Sequence, residues 1–274
     1  MCSVYYFYHV GGEEATLHPR NGGPSSALHE SIEIRPYKRV DLSGGVVVEG
    51  FPSVGLASAI AGTYIVGSLK LTQIAAIDSK RFPSVSIISA EKPEFPARIY
   101  ASEEHKIAVC LSEFTMPADL DASVAKAILS WSRNEECSFV ISSCGLRLAK
   151  NDDHKSEDPV IRGVGSNEVM RRKLKSSGIS LMNSGLVPGI TGALLNEGKL
   201  SNSNVLALLF ELRPEIPDAK AVVAIVETVA KLIPRIHLNL TPLYQDVEKI
   251  ENRLKIMTQQ TNELNTSLRP SPSG

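Results

Sequence analysis

Residues 46–63 read VVVEGFPSVGLASAIAGT. A β-branched run meets a turn at Gly50 and Pro52, and a stretch of small residues with helical character follows. Such a junction is either a cradle for a phosphate or a tight strand-to-helix turn, and the two readings predict different functions. A P-loop needs G-x-x-x-x-G-K-[ST], because its lysine reaches the phosphates and its hydroxyl holds magnesium. Gly50 and Gly55 keep the glycine spacing, but Leu56 and Ala57 stand where the lysine and hydroxyl belong. No G-x-G-x-x-G follows Val48 either, so the dinucleotide fingerprint fails. Free amides near Val54 to Ala57 remain, a property of every such turn. Packing is the stronger reading: Gly55, Ala57, Ala59, Ala61 and Gly62 give the helix a face that can approach a sheet closely.

Outward from this junction the chain alternates strands and helices. SIEIRPY (31–37), LTQIAAID (71–78), SVSIIS (84–89), ARIYA (97–101), KIAVCLS (106–112), FVISSCG (139–145) and NVLALLFEL (204–212) read as strands. The loop at 101–105 predicts a hairpin between two of them. Helices are predicted from Gly55 to about Leu69, over 118–133, from Asn167 to about Lys175 with Gly178 just beyond its end, and over 219–234 behind Asp218. SLMNSGLVPGITGALLNEGKL (180–200) reads as strand, glycine-rich turn and helix, and 149–159 as an exposed polar loop. Alternation of this kind predicts an α/β domain with a mixed, largely parallel sheet over residues 31–240. Residues 1–30 are expected to be a flexible leader.

Composition removes several functions. The net charge is −1 and aromatics make up 5% of the 274 residues, which argues against a basic nucleic-acid surface with stacking rings. Cys2, Cys110, Cys137 and Cys144 form no CxxC pair, as expected of free thiols in a reducing cytoplasm. No apolar run has the length of a membrane span, and the start, MCSVYYFYHVGG, lacks the pattern of a signal peptide. The six histidines are scattered without HExxH, and no G-x-S-x-G is present. Neither a metal nor a cofactor is expected.

One constellation could carry chemistry. Polar groups recur where strands end: Glu49-Gly50, Asp78-Ser79, Ser112-Glu113, Ser143 and Glu211. On a parallel sheet these ends share the carboxyl edge, where open α/β folds bind ligands. Glu49, Asp78 and Glu113 would then supply acid, base or hydrogen-bonding groups, with Gly50, Gly55 and Gly192 bringing backbone amides to an anion. The bland alternative is that these acids cap turns. Large apolar groups on the same turns, Phe51, Pro52 and Phe114, would be partner contacts if exposed, or plugs at the end of the core.

The end of the chain has a different pattern. Leu243, Val247, Ile250, Leu254, Met257, Thr261, Leu264 and Leu268 lie alternately four and three residues apart. This is a heptad seam, off type only at Thr261, and it predicts a helix over 241–268 that packs on another helix, within an oligomer or on a partner. A last helix lying on its own domain is the alternative. Residues 269–274 are expected to be a disordered tail.

GFPSVGLASAIAGTYIV, AAIDS with FPSVSII, PARIYA, AVCLSEF and SGLVPGITGALL, in that order, resemble the archaeal branch of the proteasome assembly chaperone two family, sometimes labelled with the ATP-grasp superfamily. The resemblance spans about Gly44 to Pro242. It implies a three-layer α/β/α sandwich of the phosphorylase/hydrolase-like kind with a helical extension. It also implies a non-catalytic chaperone that forms homo-oligomers and binds proteasome α subunits. Relatives that insert a C-terminal hydrophobic–tyrosine–any tripeptide between α subunits are not matched by LRPSPSG at 268–274. Docking by that route is therefore not expected. The other reading of the residues is a small-molecule-binding protein or enzyme, nucleotide-dependent or phosphorylase-like, working at the carboxyl edge.

Overall fold

The computed structural model describes residues 32–53, 56–147, 159–212 and 219–243, together with positions 256, 259, 260 and 263. In chain order the strands are β1 (Glu33–Pro36), β2 (Val46–Gly50), β3 (Thr72–Asp78), β4 (Ile87–Ser89), β5 (Lys92–Glu94), β6 (Ala97–Ser102), β7 (Ile107–Ser112), β8 (Phe139–Arg147), β9 (Ile161–Gly165), β10 (Ser180–Leu181) and β11 (Val205–Leu212). The helices are α1 (Ala57–Ser68), α2 (Asp121–Asn134), α3 (Glu168–Ser176), α4 (Gly189–Leu200) and α5 (Ala219–Leu232).

Nine strands form one sheet in the order β1-β3-β6-β7-β2-β8-β11-β9-β10. Its centre, β7-β2-β8-β11, is parallel. Antiparallel pairings add β6, β3 and β1 on one side and β9 on the other, where β10 then runs parallel to β9. The central strands are apolar on both faces because both faces are covered. Alternate residues separate into two cores. Val46, Val48, Val109 and Leu208 join α1, α3 and α5, whereas Val47, Ala108, Cys110 and Val140 join α2 and α4. The architecture is thus the expected three-layer α/β/α sandwich.

Local chemistry explains the elements. α1 is buried on most of its surface, from Ala57 through Gly62 and at Tyr64 and Ile65, because it lies between the sheet and α5. The Asn167 side chain accepts from the Met170 amide at 3.0 Å and caps α3, and Gly178 follows that helix at φ 73°. Two strands depart from the sequence pattern. β9 reads IRGVG, where Gly163 and Gly165 break the apolar alternation; a Cβ at either would strike Leu174 or the Met170–Arg171 backbone of α3. β5 reads KPE and pairs with β4 in a separate hairpin, so only part of 84–89 is strand and none of it lies in the main sheet.

The expected loop over 149–159, apart from Pro159, and most of the 241–268 helix lie outside the described residues. Positions 256, 259, 260 and 263 are helical. Among the described residues no helix is long and apolar enough to cross a membrane, and no group of acids, histidines and cysteines is placed to hold a metal.

Candidate functional site

The ends of β2, β3, β7 and β11 do share one edge, whereas Ser143 lies inside β8, which continues to Arg147. β2, β7, β8 and β11 are parallel, and β3 runs the same way because β6 is antiparallel to both β3 and β7. The three acids nevertheless do not converge. Asp78 belongs to the outer wing, where it meets the Arg35 guanidinium at 3.1 Å and accepts from the Ser79 amide at 2.8 Å. Glu113 is buried against Arg98 at 2.5 Å, and Glu94 meets the same guanidinium at 3.1 Å. Arg98 stands between Ala97 and Ile99, which point into the α2/α4 core, so its pair with Glu113 occupies the opposite face. Glu49 follows Val47 on the α2/α4 side. The acids are divided between two faces and a wing, which corrects the expectation of one shared pocket.

The glycine positions resolve in favour of packing. A Cβ on Gly50 would lie 3.3 Å from the Gly62 Cα, and one on Gly62 would lie 2.7 Å from Leu111 Cδ2. α1 crosses β2 at that pair of glycines, and the small residues are what let it do so. A Cβ on Gly192 would strike the Val187 carbonyl oxygen, so its role is also close approach. Gly55 lies outside the described residues.

Phe51, Pro52 and Phe114 are buried, and the two rings are 1% exposed. Phe114 meets Phe82 edge-on, with centroids 5.0 Å apart. The Ser112 hydroxyl donates to the Phe114 carbonyl at 2.8 Å and accepts from its amide at 3.2 Å, folding the turn inward. The expectation that these side chains offer a surface is corrected: they plug the end of the α2/α4 core, where each buried ring stabilises by about 2–3 kcal/mol. Leu243, the first seam position, is 0% exposed and belongs to the α1/α5 core. Val247, Ile250, Leu254 and Met257 lie outside the described residues.

What the carboxyl edge does contain is a buried polar chain. Glu49 is 1% exposed; its Oε1 accepts from the Phe51 amide and its Oε2 from the Ser142 hydroxyl, both at 2.6 Å. Ser142 Oγ is 2.7 Å from Thr191 Oγ1 on the first turn of α4, and Thr191 in turn lies 3.5 Å from the Ser143 carbonyl. That carbonyl also accepts from Ser58 on the first turn of α1, at 2.7 Å. Burial pushes the Glu49 carboxyl up to about 7; the hydrogen bonds from Ser142 and Phe51 oppose this, and the charge of Asp121 adds to it. Burial and the Glu49 charge push Cys144 up to about 11 and raise Cys110 as well, so both thiols are unreactive packing groups. Sequence reasoning marks Glu49 and Ser143, names Thr191 only within the stretch that carries the family resemblance, and passes over Ser142. Their one signal is position, a hydroxyl inside an apolar strand and another at a helix start.

This arrangement holds no cluster of converging acids or nucleophiles. Its hydrogen bonds are made within the interior of the fold, between β2, β8, α1 and α4. Pyrococcus furiosus PbaA, described as an archaeal homolog of proteasome-assembly chaperone, superposes with a TM-score of 0.73 and is 26% identical, covering 85% of this chain and 100% of its own. Pyrococcus furiosus PbaB, described as an archaeal proteasome activator, has the same fold at TM-score 0.67 and 22% identity, covering 83% and 98%. An uncharacterised protein of Methanocaldococcus jannaschii is 22% identical over 231 residues, 84% of this chain and 92% of that protein. The sequence pattern of the PAC2 family matches residues 47–258, which takes in the glycine junction, most of both cores and the buried chain from Glu49 to Thr191, and the protein is therefore a member of the PAC2 family.

Proposed function

We propose that this protein is a non-enzymatic, proteasome-assembly-chaperone-like binding protein that works in the cytoplasm as a homo-oligomer and takes proteasome α subunits, or another protein, as its partner. The observation that carries this reading is the likeness to PbaA over that chain's entire length. The division of Glu49, Asp78 and Glu113 among separate environments supports binding over catalysis. In this reading the partner meets apolar groups left in solvent, such as Leu186 before α4 (90% exposed) and Ile88 and Phe95 around the β4–β5 hairpin, rather than the buried Phe51, Pro52 and Phe114. The heptad residues Leu243, Val247, Ile250, Leu254 and Met257 belong to the helix that sets the oligomer.

Native mass spectrometry of the purified chain, alone and mixed with free α subunits of its own organism, tests the reading. The expected result is a homo-oligomer that forms a stable mixed complex. A monomer that leaves the α subunits untouched would overturn it.

A further inference from the structure

The chain of groups from Glu49 to the Ser143 carbonyl can carry its hydrogen bonds in either of two directions. When Glu49 is ionised, Ser142 donates to Oε2 and Thr191 donates to Ser142. The carboxylate is then buried on two neutral donors. When Oε2 carries a proton it donates to Ser142, which is freed to donate to Thr191. Thr191 is then freed to donate to the Ser143 carbonyl, so every hydroxyl proton has an acceptor. The Phe51 amide serves Oε1 in both states. The chain joins β2, β8 and α4, and it ends on the carbonyl that also holds Ser58 of α1.

We propose that Glu49, Ser142 and Thr191 form a proton-operated clasp: with the proton on Glu49 the chain extends to the Ser143 carbonyl and holds the N-terminal turn of α4 to β8 at two points, and loss of the proton reverses the chain and leaves that turn held through the Thr191–Ser142 bond alone. The titratable groups facing Glu49 are Cys110 from β7, Cys144 from β8 and Asp121 from α2. Both thiols stay protonated through neutrality, and the Asp121 charge favours the protonated clasp. α4 contributes the Thr191 hydroxyl and β8 that of Ser142. A carboxyl whose folded pKa exceeds its unfolded one adds stability that is full below the unfolded value, here 4.5, and is lost as pH climbs to the folded value of about 7. The clasp is independent of which partner the protein binds.

The test is denaturant unfolding between pH 5 and 8 of the wild type and Glu49→Gln, with amide hydrogen exchange read at the start of α4. The side-chain amide introduced by Glu49→Gln keeps an acceptor for Phe51 and a donor for Ser142, as the protonated acid does. Relative to Glu49→Gln, the wild-type folded-to-unfolded ratio should fall by roughly 70-fold from pH 5 to pH 8. Protection of the α4 amides should fall with pH in the wild type alone. Parallel pH profiles for the two proteins would overturn the clasp. Thr191→Val gives a second reading that does not depend on Glu49→Gln folding. It strands the Ser142 hydroxyl in the protonated state, so its destabilisation should be larger at pH 5 than at pH 8. Equal destabilisation at both would equally overturn the proposal.

Discussion

Two glycines on helices show how differently one residue type is used. Gly192 lies in α4 where an added methyl would run into the Val187 carbonyl oxygen, a backbone atom that cannot move without displacing the turn before the helix. Gly67 lies near the end of α1, where the same methyl would meet nothing within 4 Å. Gly192→Ala should therefore destabilise by about 3 kcal/mol, the upper part of the overpacking range. Gly67→Ala should stabilise by roughly 0.5–1 kcal/mol, the gain from replacing a glycine in a helix. Urea unfolding of both variants checks the pair; two changes of the same sign would mean that space around the methyl is not what decides. The same close approach answers the question posed by residues 46–63. Gly50 and Gly62 are where α1 crosses β2, and a side chain at either would meet the other element.

At the scale of elements, the β4–β5 hairpin turns through Ala90 and Glu91 at φ 46° and 65°. Two left-handed residues match the twist of a two-residue hairpin, but Asn and Gly are the types that adopt them cheaply. Replacing Ala90 with Asn and Glu91 with Gly should raise stability by about 1 kcal/mol, seen as a higher melting temperature; an unchanged or lower value would show that the hairpin is held by its surroundings alone. The substitution also marks where sequence reading stops. The parallel centre is readable because Val46–Val48, Ile107–Leu111, Phe139–Ile141 and Val205–Phe210 are apolar on both faces, which a doubly covered sheet requires. The hairpin is not, since Ala-Glu carries no turn signal and Lys-Pro-Glu no strand signal. β9 is hidden for a related reason: its glycines answer the approach of α3, a tertiary demand that local pattern does not display. The site escapes through geometry. Strand ends can be placed on one edge from the alternation of elements, but which face each acid takes depends on register, and register puts Arg98 beside Glu113 and a serine beside Glu49.

At the scale of the whole molecule, the sheet offers little for self-association. Its outer strands are short: β1 is four residues carrying Glu33, Arg35 and Pro36, and β10 is two residues. Charge, proline and brevity are the means by which edges avoid pairing with another copy. Helices cover both faces of the parallel centre. The heptad seam is then the feature of the chain best suited to an oligomer. Leu243 anchors its beginning in the α1/α5 core, and Ile256, Gln259, Gln260 and Glu263, which fall between seam positions, are helical and exposed. Ile250→Asp with Leu254→Asp would place two charges inside the seam. Uncompensated buried charges cost about 3–5 kcal/mol each, and since about 1.4 kcal/mol is tenfold in affinity, association should weaken by more than about 100-fold. A seam that faces another copy is solvated once the copies separate, so the melting temperature extrapolated to low concentration should hold. Native mass spectrometry would then record a smaller assembly from a folded chain. A folded double variant of unchanged mass would assign the helix to packing within its own chain and move the oligomer contact onto the α/β body.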